Sequence, residues 1–182
     1  MKSSQLSIFG IKPLKWIANI YIEIIRGTPM LLQIMLVYSG SKMVLGLDIT
    51  AFLSAVIAIS LNSAAYVSEI VRAGIEAVDK GQMEAARSLG MSKALAMKEI
   101  IIPQAVKNIL PAIGNEFVAV IKESSMASVI GVGELMFAAN IVTGATFMSI
   151  EPLAVSAVLY FILTFSLGRL MGYFERRMKA SD

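Results

Sequence analysis

The stretch ITAFLSAVIAISLNSAAYVS, positions 49–68, carries no charge between Asp48 and Glu69. A helix needs about 20 mostly apolar residues to cross about 30 Å of hydrocarbon, and this run is long enough to read as a transmembrane helix. Pro152–Gly168 is a second uncharged run. Composition agrees: of 182 residues, 57% are hydrophobic and 16% charged, with a mean hydropathy of +0.74. A soluble domain holds about 45–50% apolar and about 25% charged residues, and a chain this size cannot hide the excess in one core. The surplus must face lipid. The chain reads as an integral membrane protein.

Outward from that run, Gly27–Leu47 forms a third span, interrupted by Lys42 and extended backwards by Ile20–Ile25 through Glu23 and Arg26. Pro103–Ile121 is a fourth and more polar one, carrying Lys107, Asn115, Glu116, Pro103 and Pro111. An ionised side chain at mid-membrane costs about 2.5–3.5 kcal/mol on insertion scales, so this helix should face protein or water. Ser124–Ser149 is charge-poor apart from Glu134 and is punctuated by Gly131, Gly133 and Gly144. It reads as an outer re-entrant or interfacial segment, a conformation that survives only under protein cover or against a cavity. The predicted fold is all-α and polytopic, with about four transmembrane helices in one domain, 1–182.

Charge placement orients the spans. Lys2, Lys12 and Lys15 precede the first; Arg72, Lys80, Arg87, Lys93 and Lys98 fill the segment between the second and third; Arg169, Arg176, Arg177 and Lys179 follow the last. The opposite side offers Lys42 and Lys122 against Asp48, Glu123, Glu134 and Glu151. The positive-inside rule then puts both termini in the cytoplasm. Met1–Gly10 lacks the apolar core of a signal peptide. With no Cys and no His, disulfides, thiolate nucleophiles, Cys/His metal sites and His acid–base catalysis are excluded. No catalytic residue and no metal ligand is predicted, and a net charge of +3 gives no ground for a nucleic-acid partner.

The cytoplasmic segment 79–103 carries most information. Asp79 suits an N-cap, with Gln82 placed to close a capping box. A short helix follows until Gly90, which suits a left-handed C-terminal position. Ser92 caps a second helix that Pro103 interrupts. On the short helix Ala85, Ala86 and Leu89 share a face, flanked by Glu84 and Arg87. About two turns cannot hold themselves in water, so this helix rests on its own chain or inserts into a partner's cleft.

Inside the spans, Asn62, Tyr66 and Glu69 fall on one helical face. Glu116 and Glu123 lie two helical turns apart on the next span, where Asn115 aligns with Lys122. These are candidates for a substrate pathway. Glu69, Arg72 and Glu76 can also pair with one another. Glu23 and Arg26, one turn apart, form an intrahelical ion pair or, with Gly27, Thr28 and Pro29, shape a bend at the pathway. Two small-residue stripes, Ser60/Ala64/Ser68 and Ser54/Ala58/Asn62, suit close helix contact within the chain or between subunits.

Glu84-Ala85-Ala86, three residues, Gly90, nine residues, Ile100, one residue, then Ile102-Pro103 resembles the EAA signature of ABC importer permeases, which usually have Leu in place of Ile102. Glu23–Pro29, Leu61–Ile70 with Arg72–Ile75, Ser128–Leu135 and Phe174–Arg177 resemble segments of the polar amino-acid branch. The resemblance spans 12–179. It implies the type I importer fold, a bacterial plasma (inner) membrane location, and two permease subunits, identical or paralogous, around one pathway. It also implies cytoplasmic ATPases that hold ATP and Mg, and an extracellular or periplasmic solute-binding protein. Glu84, Ala85, Ala86 and Gly90 become the expected ATPase-coupling residues, and Arg26, Gly27, Pro29 and Pro103 expected hinges. This branch usually has a further span before the basic turn that Lys12–Lys15 resembles, so the expectation is a chain without that helix. No phosphate-binding Gly-x-x-x-x-Gly-Lys-Ser/Thr loop is present, consistent with a transport subunit rather than an enzyme. Excess acid on the polar faces points to a polar, possibly basic, amino acid. A passive channel for a small polar solute is the alternative; it has no use for a capped cytoplasmic helix.

Overall fold

The computed structural model describes residues 12–179; the readings of Met1–Gly10 and Lys2, and the sidedness of the chain ends, lie outside them. All regular elements among the described residues are helical. They are α1 (Lys12–Gly27), α2 (Met30–Leu45), α3 (Ala51–Glu76), α4 (Lys80–Ser88), α5 (Lys93–Ala96), α6 (Ile102–Glu123), α7 (Leu135–Thr146) and α8 (Glu151–Lys179). A π-helical turn, Met97–Ile101, joins α5 to α6, and a 3-10 helix, Ser124–Ile130, follows α6.

The charge-free run lies inside α3, which starts where Thr50 Oγ1 accepts the Leu53 amide at 3.2 Å. α3 is the centre of the bundle: α6, α2 and α1 pack on it, and α8 packs on the far side of α6. Close approach is made possible by missing side chains. A Cβ on Gly74 would stand 2.3 Å from Ile109 Cγ1 of α6, and one on Gly114 would stand 3.1 Å from Met171 Cγ of α8. The two small-residue stripes part company here. Ser54, Ala58 and Asn62 are buried within the chain, whereas Ser60, Ala64 and Ser68 are not.

α3 and α8 are each long and apolar enough to cross a membrane alone, and two bent helix pairs raise the number to four if each pair is one span. Only 6% of the apolar window of α8 is buried in the chain, against 28% for α3, so α8 is the more peripheral. The third span differs from its sequence reading. Ile20–Ile25 does not extend α2 backwards; α1 leaves α2 at 110°. The cause is local: Pro29 has no amide hydrogen and bars Thr28 from the helical region, so α1 stops at Gly27.

α6 ends in the 3-10 helix, which turns out through Gly131 at φ +85°. The chain then bends 45° into α7. Gly131 and Gly133 lie in this break as expected, but Gly144 sits inside α7 and interrupts nothing. Glu134 starts α7, its carboxylate accepting the amides of Met136 (2.8 Å) and Phe137 (2.6 Å). The same carboxylate accepts the Tyr160 hydroxyl at 2.8 Å, tying the break to α8.

Candidate functional site

α4 is a closed unit. Asp79 caps it, Oδ1 accepting the Gly81 amide at 2.7 Å. At the other end Gly90 adopts φ +85°, and the Met91 and Gly90 amides donate to the Ala86 and Arg87 carbonyls, both at 3.1 Å. That pair of bonds is the Schellman closure, and it needs a left-handed residue at this position. Arg87 Nη1 adds a bond to the Met91 carbonyl at 3.0 Å. The expected capping box does not close. Gln82 turns away from Asp79, and its side-chain oxygen accepts from Gln104 Nε2 of α6 at 3.3 Å.

Ala85, Ala86 and Leu89 do not share one environment. Ala86 is 4% exposed, pressed against the chain's own α5 and π turn, while Leu89 is 85% exposed. Glu84, Ala85 and Gly90 are also exposed. Of the expected coupling residues, Glu84, Ala85 and Gly90 therefore face outward together with Leu89, while Ala86 is the inward anchor.

Pro103 does not interrupt the helix that Ser92 caps. The run from Lys93 continues through the π turn into α6, with Pro103 in the first turn of α6. A proline clashes with the carbonyl four residues back in a tight α-helix. In the wider π turn the Ile102 amide reaches back to the Met97 carbonyl instead, so the ladder shifts by one residue and the proline fits.

Asn62, Tyr66 and Glu69 do line up on α3, and their partners are on the bend. Asn62 is 5% exposed and donates to Gln33 Oε1 at 3.0 Å. Gln33 Nε2 in turn donates to the Ile25 carbonyl (2.7 Å), the Thr28 carbonyl (3.1 Å) and Thr28 Oγ1 (3.0 Å). These carbonyls are ones that the end of α1 leaves without intrahelical partners. Arg26 stands with its guanidinium 5.4 Å over the Tyr66 ring and donates to Glu69 at 2.9 Å. Glu69 also accepts from Arg72 Nε at 3.0 Å, and Arg72 reaches Glu76 at 3.5 Å. Tyr21 adds a hydroxyl bond to the Leu61 carbonyl. So the ion pair of Arg26 runs to Glu69 of α3 rather than to Glu23 of its own helix. Arg26, Gly27 and Pro29 lie at the bend. Asn115, Glu116 and Glu123 stand apart on α6, Asn115 exposed and the two carboxylates half-buried. Glu123 lies within electrostatic reach of both Glu116 and Lys122.

Sequence reasoning assigns no role to Gln33, Gln104 or Tyr160, and takes Glu134 only as a charge, not as a cap. Gln33 had a signal: it is the one polar residue in Met30–Val37, and a buried polar group requires partners. Glu134 had none, because N-caps favour Ser, Thr, Asp and Asn.

Comparison with known proteins bears on the whole arrangement. At 46% identity over 179 residues the chain is similar to the arginine transport system permease protein ArtQ of Bacillus subtilis strain 168, covering 98% of this chain and 82% of that one. It is 45% identical over 167 residues to a putative glutamine transport system permease protein GlnP of Rickettsia conorii, covering 92% and 77%. Among solved structures, an amino acid ABC transporter crystallised with histidines superposes with a TM-score of 0.89 at 52% identity, over 93% of this chain and 79% of that one. The MetNI methionine ABC transporter shares the fold at a TM-score of 0.76 and 18% identity, over 97% and 80% of the two chains. The description "binding-protein-dependent transport system inner membrane component" matches residues 9–180. A capped helix between the spans, the bent helix pairs and these likenesses agree: the chain belongs to the family of binding-protein-dependent transport system inner membrane components.

Proposed function

We propose that this chain is the permease subunit of an ATP-driven importer, forming the membrane pathway for a polar amino acid and receiving its driving motion through α4. The observation that carries this reading is α4 itself. It is a two-turn helix closed at both ends, anchored by Ala86 and turning Glu84, Ala85, Leu89 and Gly90 outward. Small outward residues allow a partner to approach the backbone. The partners are cytoplasmic ATPase subunits, which hold ATP and Mg, a solute-binding protein outside, and a second permease subunit, identical or paralogous. Both termini face the cytoplasm, the side to which the basic segment between α3 and α6 belongs.

The arginine and glutamine named for the similar permeases support a polar amino acid as substrate. On α3, two guanidinium groups already take up the Glu69 charge, so a preference for a cationic side chain rests on Glu116 and Glu123, with Asn115 beside them. A cation is favoured near carboxylates where the dielectric is low.

Reconstitution with the cognate ATPase and binding protein tests the reading. L-Arginine or L-glutamine should stimulate ATP hydrolysis and drive uptake; uptake without nucleotide would indicate a passive channel. Glu116→Gln should lower arginine uptake more than glutamine uptake, and equal losses would remove the charge argument.

A further inference from the structure

After Leu89 the chain leaves the helix at the Gly90 turn and re-enters one at Lys93, a run that continues into α6 with a π turn at Met97–Ile101. π turns are rare insertions that occur mostly at functional sites. A push on α4 that travelled only along the backbone would have to pass through the Gly90 turn and then this π turn.

A shorter route crosses space. Gln104, in the first turn of α6, donates through Nε2 to Gln82 Oε1 of α4 at 3.3 Å and to the Ile100 carbonyl of the π turn at 2.9 Å. The amide orientation follows from the network: the Ile100 carbonyl can only accept, so the nitrogen of Gln104 must face it. That nitrogen has two hydrogens, one for each partner, which leaves Gln82 to offer its oxygen. Under this bridge Ala86 of α4, Ala96 of α5, Ile101 of the π turn and Ala105 of α6 are all buried, at 5% exposure or less. Small side chains bring the elements close, and the amide pair fixes their angle.

We propose that Gln104 is a positioning residue for coupling: through Gln82 it fastens α4 to the inner end of α6, so that a displacement of the cytoplasmic helix moves α6 instead of flexing the π turn. This rests on the transport reading above. Gln82 is exposed on α4 and Gln104 half-buried on α6; neither is among the expected ATPase-coupling residues, and they act through the helices they join.

The complete transporter in lipid vesicles provides the test, read as the ratio of solute-stimulated to basal ATP hydrolysis with L-arginine and L-glutamine as solutes. Gln104→Leu and Gln82→Leu should each lower that ratio by about three- to tenfold, the range of one net hydrogen bond. The double variant should fall no further than either single one. Gln82→Glu keeps the accepting oxygen and should stay within about twofold of the unaltered protein. Normal stimulation in either leucine variant, losses that multiply in the double variant, or a Gln82→Glu variant as poor as Gln82→Leu would each overturn the proposal. An unaltered transporter that no solute stimulates would overturn the transport reading instead. The clamp is then judged separately by spin labels at Lys80→Cys and Asn108→Cys. Gln104→Leu should broaden their distance distribution, and an unchanged distribution would refute the clamp.

Discussion

Gly90 closes the end of α4 in the left-handed region. A residue with a side chain is disfavoured in that conformation, because its Cβ crowds the following carbonyl oxygen. Gly90→Val should therefore leave membrane insertion intact while lowering ATPase stimulation in the assembled transporter; normal stimulation would count against a coupling role. Ala86 is a different case from its neighbour Ala85. Because it is buried, Ala86→Trp would overpack the chain's own contact, costing about 1–3 kcal/mol, and would report on stability more than on docking. Leu89→Asp is the cleaner probe. It should abolish co-purification with the ATPase while changing thermal stability by no more than about 0.5 kcal/mol, as exposed sites do. At this scale the sequence was legible for caps and turns, since Asp79, Gly90 and Ser92 act within a few residues of chain. It was not legible for Gln82 or Gln33, whose partners Gln104 and Asn62 are 22 and 29 positions away.

Among the elements, the α3–α6 pair depends on one absent side chain. Gly74→Val puts a branched side chain where even a Cβ would stand 2.3 Å from Ile109 Cγ1. It should lower the thermal midpoint of the detergent-purified protein by an amount corresponding to about 1–3 kcal/mol. Ile109→Ala in the same chain should recover part of that loss; no recovery would show that the two helices do not meet there. Prolines show how far element-level reading reaches. Pro29 ends a helix as its chemistry dictates, because Thr28 and Gly27 offer no helical continuation. Pro103 does not, because the π turn shifts the ladder before the ring can clash. Both rings impose the same constraint, and the difference lies in the preceding backbone, which hydropathy does not encode: a break after Gly27 in one case, an i→i−5 turn in the other.

Across the whole molecule, the charge-free runs located α3 and α8, and the polar fourth run located α6 within a few residues. Hydropathy counts residues but does not see direction, so it joined α1 to α2 across a 110° bend. The sided arrangement is open to direct test because the chain contains no Cys. Single replacements Ser92→Cys and Phe147→Cys should be labelled by an impermeant thiol reagent from opposite sides of inverted and right-side-out vesicles. Labelling of both from the same side would refute the assigned orientation.

The bend between α1 and α2 has a consequence for synthesis. α2 has 16 residues, about 24 Å at about 1.5 Å per residue, and is shorter than the hydrocarbon layer. The bend's two long-range locks, Gln33 to Asn62 and Arg26 to Glu69, both end on α3. While the chain is emerging from the ribosome, the Gln33 side-chain oxygen has no α3 partner until residue 62 has been made, and the Arg26 guanidinium none until residue 69. The bend is therefore held by its long-range bonds only once α3 has been made and has folded against it.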